Sequence, residues 1–436
     1  MSKFLESLGL HRKELRAWAL YDWANSAFST TIIAAVFPIY FYRVAASGLS
    51  PSVASGWFAT ATTFAMVLMA FFSPLLGALA DFSGIKKKML GFFLGIGVSA
   101  TGCMFFIQKG DWKLASWLFI LGNIGASGST VFYDSLLPHI TSPKEMDRVS
   151  SAGYALGYLG GGLLLALNLA WIQKPQLFGI SDSLMATRLA FLSVAAWWLL
   201  FSIPLFRQVP EPPRTLESDE TSEENPVYVT FIRLKETLKD LRRYRQAFLM
   251  LLAFLVYNDG INTIIRMATL YGTEIGINQG ALITAILLVQ FVGIPFSFLF
   301  GFLANKIGTK RALFLSLTVY IGISLLAHLM KNALHFFLLA ILVGTVQGGS
   351  QALSRSLFAS MIPRHKSSEF FGFFSVFEKF AGILGPAIFA STVWFTGSSR
   401  NAILSIILFF IVGGILLAFV NVEEGQRVAR ESELKR

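Results

Sequence analysis

Seven ionisable side chains stand inside stretches that are otherwise apolar: Asp22, Asp134, Asp259, Arg266, Arg355 and the neighbours Glu378 and Lys379. A charge near the centre of a bilayer costs roughly 2.5 to 3.5 kcal/mol on insertion scales, so each one needs a partner or a wet cavity. Such groups can bind an ionic molecule, hold a proton, or pair with one another. Residues three, four or seven apart share a helix face. That spacing puts Asp259, Asn262 and Arg266 in one stripe, Asp22, Asn25, Ser26 and Ser29 in a second, and Gln347, Gln351, Ser354 and Arg355 in a third. Tyr21, Tyr133 and Tyr257 add hydroxyls and ring faces beside these carboxylates, suited to an ammonium group. Asp22 or Asp259 is therefore expected to take a cation or a proton, and Arg266 or Arg355 an anionic group. A zwitterion satisfies both. The competing reading is that these charges only pair with each other and set helix register. Asp134, close to the inner end of its helix, leans towards that reading. Glu378 and Lys379 project about 100° apart on a helix, so the spacing predicts different partners for them, with Glu378 facing inward.

The elements that carry these residues are set by composition. The chain has 436 residues, of which 54% are hydrophobic and only 14% charged, too few polar side chains to cover a water-facing surface. About 20 apolar residues cross the hydrocarbon core, and twelve stretches qualify. They run approximately from Ala17 to Tyr42, Val53 to Ala80, Met89 to Ile107, Leu114 to Pro138, Val149 to Trp171 and Leu184 to Phe206, then from Ala247 to Tyr271, Ala281 to Ala304, Ala312 to Met330, His335 to Met361, Phe370 to Phe395 and Ala402 to Val422. The charged residues fall on the first, fourth, seventh, tenth and eleventh stretches. The chain divides into residues 1–206, a polar linker 207–246 and residues 247–436. The linker holds Pro210, Pro212 and Pro213, an acidic run from Glu217 to Glu224 and a basic run from Arg233 to Arg245, and is expected to form one short surface helix.

Lys and Arg concentrate in alternate loops, the linker and both ends, which predicts both termini on the cytoplasmic side; the membrane expected is a bacterial inner one. The net charge of +11 is thus a topology signal and no nucleic-acid partner is expected. The start of the chain lacks the pattern of a cleavable signal. Cys103 is the single cysteine, and the five histidines lie in loops or helix ends without metal-ligand spacing, so no metal site and no cofactor is expected. No phosphate-cradling Gly-x-x-x-x-Gly-Lys-Ser/Thr and no Gly-x-Ser-x-Gly occurs, which argues against ATP use and enzyme chemistry.

An internal duplication is legible. Gly77-Ala-Leu-Ala-Asp81-Phe-Ser-Gly84-Ile-Lys86-Lys87 returns as Gly301-Phe-Leu-Ala-Asn305-Lys-Ile-Gly308-Thr-Lys310-Arg311, while Pro138 is matched by Pro363, Gly157 by Gly382 and Gly160 by Gly385. The glycines permit a tight reversal and close backbone approach, and Asp81 can accept hydrogen bonds from a neighbouring helix N-terminus. Asn305 keeps an acceptor without the charge, so the second copy is expected to hold more weakly. Lysines in both loops could equally serve topology alone. Gly157, Gly160, Gly161 and Gly162, with Gly382, Gly385 and Pro386, allow close packing and local bending.

The repeated loop resembles the signature of the major facilitator superfamily. Trp18-Ala-Leu-Tyr21-Asp22-Trp23-Ala-Asn25-Ser26-Ala-Phe28, Tyr257-Asn258-Asp259-Gly260 and the run from Gln347-Gly-Gly-Ser-Gln351 through Ser354-Arg355 to Pro363 are similar to its vacuolar-effluxer-like branch. The resemblance covers essentially the whole chain. It implies an all-α integral membrane protein of two pseudo-symmetric six-helix bundles, acting as a monomer and moving a small polar molecule by alternating access. Fungal relatives are associated with amino-acid efflux, so a proton-coupled amino-acid or zwitterion exporter is the reading it favours. The site would comprise Tyr21, Asp22, Asn25, Asp134, Tyr257, Asn258, Asp259, Asn262, Arg266, Gln347, Gln351, Arg355 and Glu378. The same resemblance makes Gly77, Asp81, Gly84, Lys86 and Lys87 a latch of the outward-facing form, with Gly301, Asn305, Gly308, Lys310 and Arg311 its second copy. Drugs, organic cations, sugars and lipid head groups stay open as substrates, as does a receptor or scaffold without turnover. The proline of the exporter motif is missing from the fifth stretch.

Overall fold

The computed structural model describes residues 2–214, 225–239, 243–274, 277 and 279–434; the acidic run Glu217 to Glu224 lies outside them. Among the described residues, eleven helices are long and apolar enough to cross a membrane, and a bent pair supplies a twelfth span. Span 1 is that pair, Lys13–Ala35 and Phe37–Ala45, meeting at 40°. Its middle, Phe28–Ala35, winds as a π-helix through the β-branched run Thr30 to Ile33, where stiff side chains and a Thr30 hydroxyl on the Ser26 carbonyl loosen the regular ladder. Spans 2 to 6 are Pro51–Ser83, Lys86–Phe106, Trp112–Ile140, Met146–Gln173 and Ser183–Gln208. Span 7 lies in helix Arg245–Glu274 and span 8 in helix Gln279–Ile307. Spans 9, 10, 11 and 12 are Thr309–His328, Ala333–Ser360, Arg364–Thr396 and Arg400–Phe419.

The reversal after span 2 needs Gly84, which caps the helix in the left-handed region at φ +64°. Span 11 is interrupted. Its helix Ser367–Phe380 stops, Gly382 turns at φ +111°, and a second helix Leu384–Thr396 begins. Spans 1 to 6 pack among themselves, as do spans 7 to 12. The two bundles meet where span 5 lies against spans 8 and 10, and where the first half of span 11 lies against spans 2 and 4. The second half of span 11 packs instead on span 7 and the start of span 12.

Both crossings of the seam are made by glycine. A Cβ on Gly77 would stand 2.2 Å from the Ser368 carbonyl oxygen, and one on Gly301 2.7 Å from the Ser151 Cβ. Gly77 therefore brings backbone against backbone, and Gly301 admits the Ser151 side chain, closer than a Cβ would permit. At the end of the bundle bearing both termini, called here the terminal side, a helix Pro226–Lys239 of the linker rests on span 2. Val229, Arg233 and Thr237 are its buried face, at four-residue spacing, while Tyr228 and Phe231 are exposed. A tail helix, Val422–Leu434, docks under the second bundle through Tyr244 to Ser432 at 3.0 Å and Gln246 to Glu424 at 2.6 Å.

Candidate functional site

Two polar clusters cross the seam, and a third lies beside it within the second bundle. The first centres on Arg355 of span 10, which is 2% exposed and reaches across into the first bundle. Its Nη2 stands 3.2 Å from Asp22 of span 1 and its Nη1 3.0 Å from Asp134 of span 4. Its Nε donates to the Ser150 hydroxyl at 2.9 Å, and Nη2 also donates to the Ser150 carbonyl at 3.0 Å. Three rings enclose the guanidinium, with Trp18, Tyr154 and Tyr133 centred 4.7, 4.5 and 5.6 Å away. The Tyr133 hydroxyl donates to Asp22 at 2.8 Å, and Trp18 donates to the Tyr133 carbonyl at 3.0 Å. A Cβ on Gly153 would meet Asp22 Oδ2 at 2.4 Å, so glycine on span 5 makes room for this ion cluster. Each nitrogen of the guanidinium fork thus faces an acceptor, and four of its five N–H groups are bonded, close to the condition under which burying charge is tolerable.

The second cluster is the repeated loop. Asp81, 3% exposed, accepts the Glu369 N–H at 2.8 Å and the Ser368 N–H at 3.2 Å, both at the start of the span 11 helix. A carboxylate there gains from the helix dipole as well as from two charge-assisted bonds. Lys86 pairs with Asp81, donates to the Ser367 hydroxyl at 2.6 Å and contacts His139 Nε2 at 3.2 Å, so spans 2, 3, 4 and 11 converge on one knot. Lys87 turns the other way, its Nζ donating to the Phe206 carbonyl at 3.0 Å where span 6 ends. Glu211 of the linker accepts the Lys87 N–H at 2.9 Å, and Arg214 and Arg233 stand 4.5 and 5.4 Å from the centre of the Phe82 ring.

The second copy of the loop does not repeat this. Asn305 is exposed and donates to the Gly301 carbonyl in its own helix at 2.9 Å. What crosses the seam instead is Asp147 at the start of span 5, accepting the Thr309 hydroxyl at 2.7 Å and the Ser356 hydroxyl at 2.5 Å. The weaker hold expected of Asn305 is corrected to none across the seam, because a neutral amide at the end of its own helix turns back onto a carbonyl. Lys310 takes the part that Lys87 plays in the first half, donating to the Ala418 and Val420 carbonyls at 2.7 Å, and Arg311 is exposed.

The third cluster is the break in span 11. Asp259 accepts the Gly385 and Leu384 N–H groups at 2.9 and 3.0 Å, Asn262 donates to the Ala381 carbonyl at 3.1 Å and Arg266 to the Gly382 carbonyl at 3.1 Å. The stripe on span 7 therefore stitches a broken helix, satisfying groups that lipid could not. Beside it lies a cavity of about 360 Å³ lined by Thr62, Thr63 and Met66 of span 2 and by Arg266, Lys379 and Ile383.

Several expectations change on this geometry. Asp259 is 1% exposed and spent as a helix cap, so it faces no cavity here. The cation beside Asp22 and the tyrosines is Arg355 itself. Tyr21 is fully buried against Tyr133, ring centres 4.8 Å apart, and the Tyr257 hydroxyl meets that of Ser354 at 2.5 Å. Asn25 donates to the Thr130 hydroxyl at 3.2 Å, Gln351 to Asn258 at 2.6 Å, and Gln347 is half-buried. Glu378 and Lys379 stand 3.8 Å apart as an ion pair, because long flexible side chains close the angle that separates their Cβ atoms. Ser150, Asp147, Tyr154, His139, Ser367 and Glu369 lay outside the sequence-based set. A polar residue one turn inside a span start was the signal available for Asp147, Ser150 and Glu369.

Two six-helix bundles joined by a linker, meeting along a polar seam closed on the terminal side, define a transporter of the major facilitator superfamily. The solved structures agree on the fold. The human organic anion transporter MFSD10 (TETRAN) superposes with a TM-score of 0.71 at 16% identity, covering 93% of this chain and 99% of that one. FucP in the outward conformation superposes at 0.69 and 14% identity, covering 94% and 100%. The chain belongs to the vacuole effluxer Atg22-like family, whose pattern matches residues 10–430. It is 39% identical to the MFS-type transporter YxiO of Bacillus subtilis (strain 168) over 421 residues, 96% of this chain and 97% of that protein. Autophagy-related protein 22 of Kluyveromyces lactis is 24% identical over 478 residues, 96% of each.

Proposed function

We propose that this transporter exports a small zwitterion, an amino acid or a similar molecule, from the cytoplasm across a bacterial inner membrane, driven by protons. The observation that carries the substrate class is the cavity at the break of span 11. Arg266 and Lys379 line it, and Glu378, its side chain 34% exposed, stands 3.8 Å from Lys379. Two cations thus line the cavity, with the Glu378 carboxylate beside one of them, opposite a span 2 wall of Thr62, Thr63, Met66 and Val67. A carboxylate pairs with Arg266 and an ammonium with Glu378, while the rest of the molecule lies against Met66 and Val67. Efflux is supported by the description of the family, and the clustering of Lys and Arg supports a cytoplasmic terminal side.

Alternating access then has a structural account. Arg355 with Asp22 and Asp134, and Asp81 with the start of span 11, close the terminal side, while the outer half of span 11 packs mainly on span 7 and the start of span 12. Opening the terminal side must break both contacts. The test is counterflow in proteoliposomes with a panel of labelled amino acids, sugars, organic cations and organic acids. Exchange of amino acids, lost in both R266Q and E378Q, is the expected result. Exchange of sugars or cations alone, unaffected by either substitution, would sink the zwitterion reading.

A further inference from the structure

Glu369 is a carboxyl group that neither the ion cluster nor the loop contact uses. It is 0% exposed, and neither of its oxygens has a hydrogen-bond partner. The charged groups that face it are Lys366 from the turn ahead of span 11, Arg233 from the linker helix and Asp81 from span 2; Thr237 of the linker helix faces it as well. Of these only the Thr237 hydroxyl comes near enough to act as a donor, and it makes no well-formed bond to either carboxyl oxygen. A carboxylate sealed from water with no well-formed hydrogen bond is among the most costly groups a protein interior can hold, and its burial favours the neutral acid over the charge that Lys366 and Arg233 would support.

The seal depends on the closed seam. The N–H of Glu369 itself donates to Asp81 across the two bundles. The Gly77 backbone of span 2 lies so close that a Cβ there would stand 2.8 Å from the Glu369 Cα. Drawing span 2 away from span 11 removes the wall that covers the carboxyl and lets water reach it. We propose that Glu369 is a proton-binding site tied to this gate: closing the terminal side takes up one proton from solution on Glu369, and opening returns it to the same side. The proton is bound at a carboxyl oxygen and leaves as hydronium, with no other bond changed. The consequence is that a rising pH on the terminal side opens the gate.

The inference rests on the alternating-access reading, and two measurements keep the failures apart. Spin labels on K144C and E431C in a C103S background report the separation of the bundles in nanodiscs. Uptake of one proton on closing makes the open-to-closed ratio rise tenfold per pH unit, across the range where a hydrated glutamate is ionised and the sealed one is neutral. In E369Q the ratio is independent of pH and shifted towards closed. A parent whose ratio ignores pH, or an E369Q variant that keeps the tenfold slope, overturns the proposal. Infrared spectra of the closed protein test Glu369 alone, whatever the protein transports. A protonated-carboxyl C=O band present in the parent and missing from E369Q is expected, and identical spectra would overturn the assignment.

Discussion

Asp81→Asn isolates the contribution of one contact to the conformational balance. Asp81 accepts two backbone N–H groups at 2.8 and 3.2 Å from the first turn of span 11, and it pairs with Lys86, 3% exposed. Asparagine has the same shape but one acceptor oxygen. One N–H then meets an amide NH₂, the helix start loses its anion and Lys86 its counter-charge. Hydrogen bonds to a charged group contribute about 1.5 to 3 kcal/mol, and a carboxylate at a partly buried helix N-terminus up to about 2 kcal/mol. These overlap, so a net loss of roughly 2 to 3 kcal/mol is expected. Because the two N–H contacts exist only when spans 2 and 11 touch, whereas Lys86 and Asp81 stay together in one bundle, the loss of those contacts falls on the closed state, which at 1.4 kcal/mol per decade is a shift of about 30- to 150-fold. Ser135 reports it. Its side chain is buried, 3.1 Å from the Ser368 hydroxyl, and is uncovered when span 11 leaves. In a C103S background, which removes the exposed native thiol, alkylation of S135C from the terminal side at fixed pH should accelerate by that factor in D81N. An acceleration below about threefold would refute the idea that the Asp81 contact holds the gate.

Gly77→Ala should act more strongly than D81N in the same alkylation assay, since its Cβ would lie 2.2 and 2.5 Å from backbone atoms of Ser368 that cannot give way. Asn305→Asp should leave alkylation within about twofold of the parent, because that side chain stays on its own helix, whereas Asp147→Asn, which loses its charge at the seam-crossing bonds to Thr309 and Ser356, should accelerate it. Arg355→Gln strands Asp22 and Asp134, and loss of one partner of a buried pair costs about 3 to 5 kcal/mol, read as a lowered Tm in detergent. D22N/D134N in the R355Q background should recover a measurable part of that Tm; a triple variant no more stable than R355Q would show that the cluster is not electrostatically coupled.

The repeated loop illustrates how far residue types carry. Gly77, Asp81 and Gly84 are recognisable because each answers a local demand: a backbone contact, a helix N-terminus, a left-handed turn. The embedded charges are equally legible, since a charge in an apolar stretch is costly wherever it lies. Partner choice is different. Asp22 and Arg355 are separated by most of the chain, and only the packing of spans 1, 4, 5 and 10 brings them together. Asp259 and Arg266 share a helix face, yet both turn to the break in span 11, whose freed backbone groups outcompete each other's charge.

The amino-acid sequence by itself determined twelve crossings, two related halves, a polar linker and the residues that must avoid lipid, because these follow from hydrophobic length, glycine stereochemistry and the cost of burying charge. Tertiary structure alone decided that Arg355 closes onto Asp22 and Asp134, that Asp147 replaces Asn305 at the second crossing, and that the Glu369 carboxyl is sealed from water beneath the linker helix. Those outcomes depend on distances of a few ångströms between helices far apart in the chain, where hydrogen-bond strength changes steeply and no local pattern records which neighbour arrives.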